Sequence, residues 1–163
     1  MNLLIVGAGG HGKVVAEVAS DCGFDKIAFL DDSGLEAIGK LDELEKFSEQ
    51  YEYGFVSIGN NKFRSELIER LAKAGYQIPI LIHPTAYVSK SAKIAKGTVI
   101  EPKAIVNANA VISTGCIISV GAIVDHDATV GKYSHVNAGA IVKSGVEVLD
   151  FIKLEPGQVV FDK

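Results

Sequence analysis

Asp125-His126-Asp127 sets an imidazole between two carboxylates. A neutral imidazole accepts protons near physiological pH, and a neighbouring carboxylate can hold its tautomer, so this triplet has the parts of a general base. The same triplet also suits a solvated turn, and spacing alone leaves both readings open. His135 follows nine residues later. Two histidines with no cysteine nearby make a poor zinc set, and no metal is expected. His83, directly before Pro84, reads as structural, while His11 lies inside a glycine-rich loop.

That loop, GAGGHG (7–12), fits G-x-G-x-x-G through Gly7, Gly9 and Gly12. Amides at a helix start attract phosphate, and glycine lets a diphosphate approach closely. Asp31 and Asp32 end the next apolar run, where a carboxylate can accept a ribose hydroxyl. Three readings follow: an NAD site, a site for a nucleoside diphosphate such as a nucleotide-sugar, or a plain tight turn. One mononucleotide-sized unit suits the second better than the first. SIGNN (57–61) closes a further strand, so loops 8–12, 31–32 and 58–62 should gather around one crevice at the strand ends. Lys62 could meet a phosphate there, although a solvated lysine explains it as well.

The elements that must position these groups change character near Pro84. Before it, strands at 3–6, 26–32, 54–59 and 78–82 alternate with helical patterns at 11–22, 41–51 and 62–74. Such alternation implies a small Rossmann-like parallel sheet covered by helices, over residues 1–83. Residues 84–163 follow another rule. From Ala86 the chain divides into thirteen hexads, AYVSKS to QVVFDK, each with Val, Ile or Leu at its third position. The first position is Ala, Thr, Cys or Ser in the first ten. Residues two apart on a strand share a face, so each hexad points one aliphatic and one small residue inward. Three hexads make a triangular coil, and thirteen make about four coils of a repeat architecture. The last three hexads, with bulkier or charged turn residues, are expected to cap the stack.

Composition bounds the rest. The chain has 163 residues, 48% of them hydrophobic, enough for one ordinary or two small globular domains. A net charge of −4 and a pI near 5.5 argue against a nucleic-acid surface. No apolar run approaches the roughly 20 residues of a membrane span. MNLLIVGAGG lacks the basic start of a signal peptide. Cys22 and Cys116 form no framework and are expected to be reduced thiols in a cytoplasmic protein.

The hexads resemble the left-handed parallel β-helix of hexapeptide-repeat acyltransferases. In chain order, GAGGHGKVVAE (7–17), FLDD (29–32), SIGNNKFR (57–64), HPTAYV (83–88), VDHDATVG (124–131) and SHVNAGA (134–140) resemble the sugar acyltransferase family of bacillosamine N-acetyltransferases and sialic-acid-pathway O-acetyltransferases. The resemblance implies an α/β domain that binds a UDP-amino sugar or similar nucleotide-sugar. It also implies a β-helix that forms a homotrimer, and acetyl-CoA as co-substrate between neighbouring β-helices. It assigns the general base to His126, oriented by Asp127, and acyl-donor contacts to His135 and Gly139. Nucleotide-sugar contacts fall on Gly9, Gly10, His11, Asp31, Asp32, Gly59, Asn60 and Lys62. A sugar amine attacking the thioester would lose its proton to neutral His126. The chain is shorter than family members, which carry further coils. A second expectation is therefore a non-catalytic or weakly active trimeric nucleotide-sugar-binding protein without an acetyl-CoA site.

Overall fold

The computed structural model describes residues 1–161, and the chain divides into two compact units, Met1–Pro79 and Ile80–Lys163. In the first unit, β1 (Asn2–Val6) carries Leu3, Leu4, Ile5 and Val6, all fully buried. A strand apolar on both faces belongs in the middle of a covered parallel sheet. It lies there, in the order β3-β2-β1-β4, with β2 at Lys26–Leu30, β3 at Ala37–Gly39 and β4 at Tyr53–Val56. Every pairing is parallel. Helix α1 (Gly10–Asp21) buries Val15, Val18 and Ala19, and helix α2 (Asn61–Lys73) buries Leu67, Ile68 and Leu71.

Three local expectations are corrected. The helix expected over 41–51 is a 3₁₀ helix, Leu41–Phe47. Its apolar residues, Leu41, Leu44 and Phe47, recur every third position, which matches three residues per turn rather than 3.6. The edge strand β3 has a single large aliphatic residue, Ile38, and that is exposed, so it shows no burial period. The strand expected at 78–82 does not join this sheet. Leu81–Ile82 pairs with Val99–Ile100 as the first rung of the second unit, which places the division before Ile80 rather than after His83.

The second unit is the left-handed parallel β-helix expected from the hexads. One face stacks Leu81–Ile82, Val99–Ile100, Ile117–Ile118 and His135–Val136. A second stacks Tyr87–Val88, Ile105–Val106, Ile123–Val124, Ile141–Val142 and Val159–Val160. The third stacks Lys93–Ile94, Val111–Ile112, Thr129–Val130 and Glu147–Val148. Partners are 18 residues apart throughout, as three hexads per coil require. The third-position aliphatics and first-position small residues form one column: Ile100, Val106, Ile112, Ile118 and Val124 with Ala104, Ala110, Cys116 and Ala122, all essentially solvent-free. The last three hexads continue the coil instead of capping it. Val148 and Leu154 stay in phase with the core, and Val142 pairs with Val160.

The turns share one geometry. Every sixth residue from Gly97 to Gly157 has φ between +56° and +73°. Six of these eleven are glycine, and the others are Lys103, Asn109, Asp127, Tyr133 and Phe151. Left-handed backbone costs a non-glycine residue roughly 1–2 kcal/mol, least for Asn and Asp. Asp127 thus occupies a position the fold imposes.

Candidate active site

His126 sits at the fifth position of its hexad, in the turn between Ile123–Val124 and Thr129–Val130. Its ring is 54% exposed. Nδ1 lies 2.8 Å from Asp127 Oδ2. A carboxylate only accepts, so Nδ1 carries the proton and Nε2 is the basic nitrogen. The bond from Asp127, then the charges of Asp125 and Asp127, hold His126 above the ordinary histidine range. Asp127 is held below the carboxylate range by His126 and then by Asn109. Asp125 points the other way. Its Oδ1 accepts the His126 N–H at 2.7 Å and Asn107 Nδ2 at 3.0 Å, fixing the turn's backbone. Thus the triplet works as a unit, one aspartate on the ring and one on the main chain.

His135 is on a different face, as half a coil of separation requires, and the structure does not join it to His126. Its Nε2 lies 2.8 Å from Ser119 Oγ, which is buried in the turn one coil below. Gly139 has φ +65° and donates its N–H to Val120 O, while the direction a side chain would take is open. Sequence reasoning missed Asn107, Asn109 and Ser119. The first two were findable, since each lies 18 residues before an aspartate of the triplet.

In the α/β unit, the loops after β1, β2 and β4 do converge. Gly7 N donates to Leu30 O, and Ser57 Oγ donates to Gly7 O at 2.7 Å. Gly7 adopts φ +110°, and a Cβ on Gly12 would fall 2.3 Å from Gly7 O. These two glycines make the tight turn. Gly9, Gly10 and Gly59 face open space instead, so their backbones remain approachable. Gly10, His11 and Gly12 form the first turn of α1, which has no side-chain cap.

Asp31 ties this loop in place. Its Oδ2 accepts the Ala8 N–H at 2.7 Å and its Oδ1 accepts the Ser33 N–H, which hold its carboxyl below the usual range. Its role in this geometry is to shape the loop. Asp32 accepts the Leu41 N–H with Oδ1. Asn60 caps α2 by accepting the Phe63 N–H, and Lys62 follows on the helix's exposed side. Beside them opens a cavity of about 530 Å³ lined by Asp32, Lys40, Leu41, Asp42, Phe63, Leu67 and Arg70. Arg64, fully buried, donates Nη1 to Ile58 O and Nη2 to Asn61 Oδ1, bracing the 58–61 loop from beneath. Neither Arg64 nor Phe63 was expected at the site. Among the described residues no group of three or more His, Cys, Asp or Glu is arranged to hold a metal, and no helix is long and apolar enough to cross a membrane.

A parallel sheet with an open glycine loop, followed by triangular coils with an aspartate-paired histidine, defines a hexapeptide-repeat class of protein with a nucleotide-type α/β unit. Comparison with known proteins narrows it. Residues 2–71 match the PglD N-terminal domain. The chain is 36% identical over 110 residues to UDP-N-acetylbacillosamine N-acetyltransferase of Bacillus subtilis, a match over 61% of this chain and 50% of that protein. The match thus spans half the length of this curated relative. A point mutant of perosamine N-acetyltransferase from Caulobacter crescentus, solved with CoA and GDP-perosamine, superposes with TM-score 0.86 and 27% identity, over 99% of this chain and 89% of that one. The acetyltransferase domain of PglB from Neisseria gonorrhoeae, solved with acetyl coenzyme A, gives TM-score 0.70 and 30% identity over 98% and 90%. The chain belongs to the sugar N-acetyltransferase family.

Proposed function

We propose that this protein transfers the acetyl group of acetyl-CoA to the amine of a nucleotide-linked amino sugar. The observation that carries the reading is the His126–Asp127 pair, Nδ1 tied to the carboxylate at 2.8 Å on a ring 54% exposed, in a chain whose solved relatives hold CoA with GDP-perosamine or acetyl coenzyme A. The amine attacks the thioester carbonyl while Nε2 takes its proton. The C–N bond forms, the C–S bond breaks, and the thiolate leaves with a proton returned from the imidazolium. Asp127 stabilises the imidazolium formed on the way. We assign the acyl-donor contacts to His135 and Gly139.

The nucleotide part belongs on the α/β unit. Gly9, Gly10 and His11 at the start of α1 suit the diphosphate, with Gly59, Asn60 and Lys62 opposite. The 530 Å³ cavity beside Asp32 has the size of a ligand pocket. A homotrimer is supported by the second face of the β-helix. There Tyr87, Ile105, Ile123, Ile141 and Val159 form one outward column, with Tyr87 58% exposed. A continuous apolar stripe beside the His126 turn suits a face shared with another copy. Cys22 and Cys116 form no disulfide, in keeping with a cytoplasmic setting.

Thiol release from acetyl-CoA, measured with UDP-, GDP- and dTDP-linked 4-amino sugars, tests the reading. Turnover with at least one acceptor is expected. Nucleotide-sugar binding without thiol release would overturn it in favour of a non-catalytic binding protein.

A further inference from the structure

The turn that carries His126 stands third in a stack whose equivalent residues are 18 apart: Ser89 and Ser91, Asn107 and Asn109, Asp125 and Asp127. Each rung is bonded to the next. Ser91 Oγ accepts the Asn109 N–H at 3.0 Å. Asn109 Nδ2 donates to Asp127 Oδ1 at 3.2 Å, and Asp127 Oδ2 meets His126 Nδ1 at 2.8 Å. The amide's orientation is dictated, because a carboxylate can accept only from the NH₂ end. Asp127 therefore has one oxygen fixed by the coil below and the other on the ring.

We propose that Asn109 is a positioning residue for His126, acting through Asp127. An exposed aspartate has two soft side-chain torsions, and Asp127 itself is more than half exposed. Without a second bond those torsions let Asp127 swing off His126 Nδ1. The second bond, from a rigid β-helix turn, converts the aspartate into a fixed post. Asn107 does the corresponding work on Asp125, but Asp125 bonds the His126 main chain and so sets backbone rather than ring. The charges that act on the ring are those of Asp127, bonded to it, and Asp125, bonded to the main chain, with Lys143 of the turn above acting on Asp125. Asn109 is the neutral member that decides where Asp127 points.

Asn109→Gly isolates the side chain. Asn109 has φ +58°, and six of the eleven equivalent turn residues are already glycine, so the backbone tolerates the change. The titration of His126, followed by its ring Cε1–H resonance in NMR, is compared between the two proteins, together with the acid limb of kcat/KM. In Asn109→Gly the His126 titration and the acid limb should both move to lower pH. Turnover should fall about tenfold, well short of the roughly 10²–10⁴-fold that a general base supplies. Asp127→Asn and the double variant complete a cycle: if Asn109 acts through Asp127, adding Asn109→Gly to Asp127→Asn costs less than twofold. An unchanged titration, or a tenfold further loss in the double variant, overturns the proposal. The kinetic arm rests on the acetyl-transfer reading, whereas the titration does not. A wild-type protein without turnover whose His126 still shifts on Asn109→Gly would refute that reading and keep this one.

Discussion

His126→Ala is the most direct test of the site, and the structure fixes what it should and should not change. The ring is 54% exposed and packs into no core, so the coil should survive. Surface substitutions of this kind shift the melting temperature by about 2 °C or less. The catalytic cost should be the full contribution of a positioned base, roughly 10²–10⁴-fold in turnover. Wild-type kcat/KM should also carry an acid limb of known sign. The base works only when neutral, and Asp127 holds the folded-state pKa above the ordinary value of 6.5. Activity should therefore rise with pH through a midpoint above 6.5 and then level off. Asp127→Asn removes the carboxylate that raises that pKa, so its limb should lie at lower pH than the wild type. Steady-state thiol release over a pH series reads both variants. His126→Ala with wild-type turnover, or an Asp127→Asn limb moved upward, would refute the assignment of base and orienting acid.

Gly131→Ala should destabilise the β-helix by about 1–3 kcal/mol in a denaturant titration; its Cβ would fall 2.5 Å from the backbone of Leu149 and Asp150, and a wild-type midpoint would contradict that contact. Arg64→Leu removes the donors to Ile58 O and Asn61 Oδ1, which should cost about 1–3 kcal/mol and raise KM for the nucleotide-sugar more than KM for acetyl-CoA. Equal changes in both would place the 58–61 loop away from the nucleotide. Ile141→Glu puts a charge in the outward column between Ile123 and Val159 and should break the proposed trimer into single chains, as read by light scattering. An unchanged mass would move the interface to another face.

The β-helix was legible because its period is short and covalent: every sixth residue must face inward, so the third-position aliphatics announce themselves without knowledge of any partner. The α/β unit was legible where burial was complete, as in β1, and illegible where tertiary partners decided. Leu81 could be placed only by its pairing with Val99, which lies 18 residues on and makes both of them rungs of the second unit. The 3₁₀ helix was disguised by a spacing of three that also fits one side of an α-helix. At the site, His126 and Asp127 are adjacent in sequence and were seen together. Asn107 and Asn109 are ordinary turn residues until the 18-residue stack is laid out, and Arg64 reads as a surface charge on a helix until its guanidinium is found beneath the 58–61 loop.

The same stack sets this turn apart among eleven of one geometry. The fold fixes the sixth position of each hexad at positive φ, and in most coils glycine meets that demand with no side chain to offer. Asp127 meets it with a carboxylate set next to the preceding side chain, and Asn is the other residue that tolerates this backbone at small cost. Asn109 holds the equivalent position one coil below, where its amide reaches Asp127. Tyr133 and Phe151, the equivalent pair at another corner, stack with ring centroids 5.3 Å apart, ring on ring rather than amide on carboxylate. A single structural requirement, left-handed backbone every sixth residue, thus becomes an orienting device only where two successive coils answer it with polar residues. The His126–Asp127 pair is built by vertical repetition of the coil, with each rung supplying the support for the next.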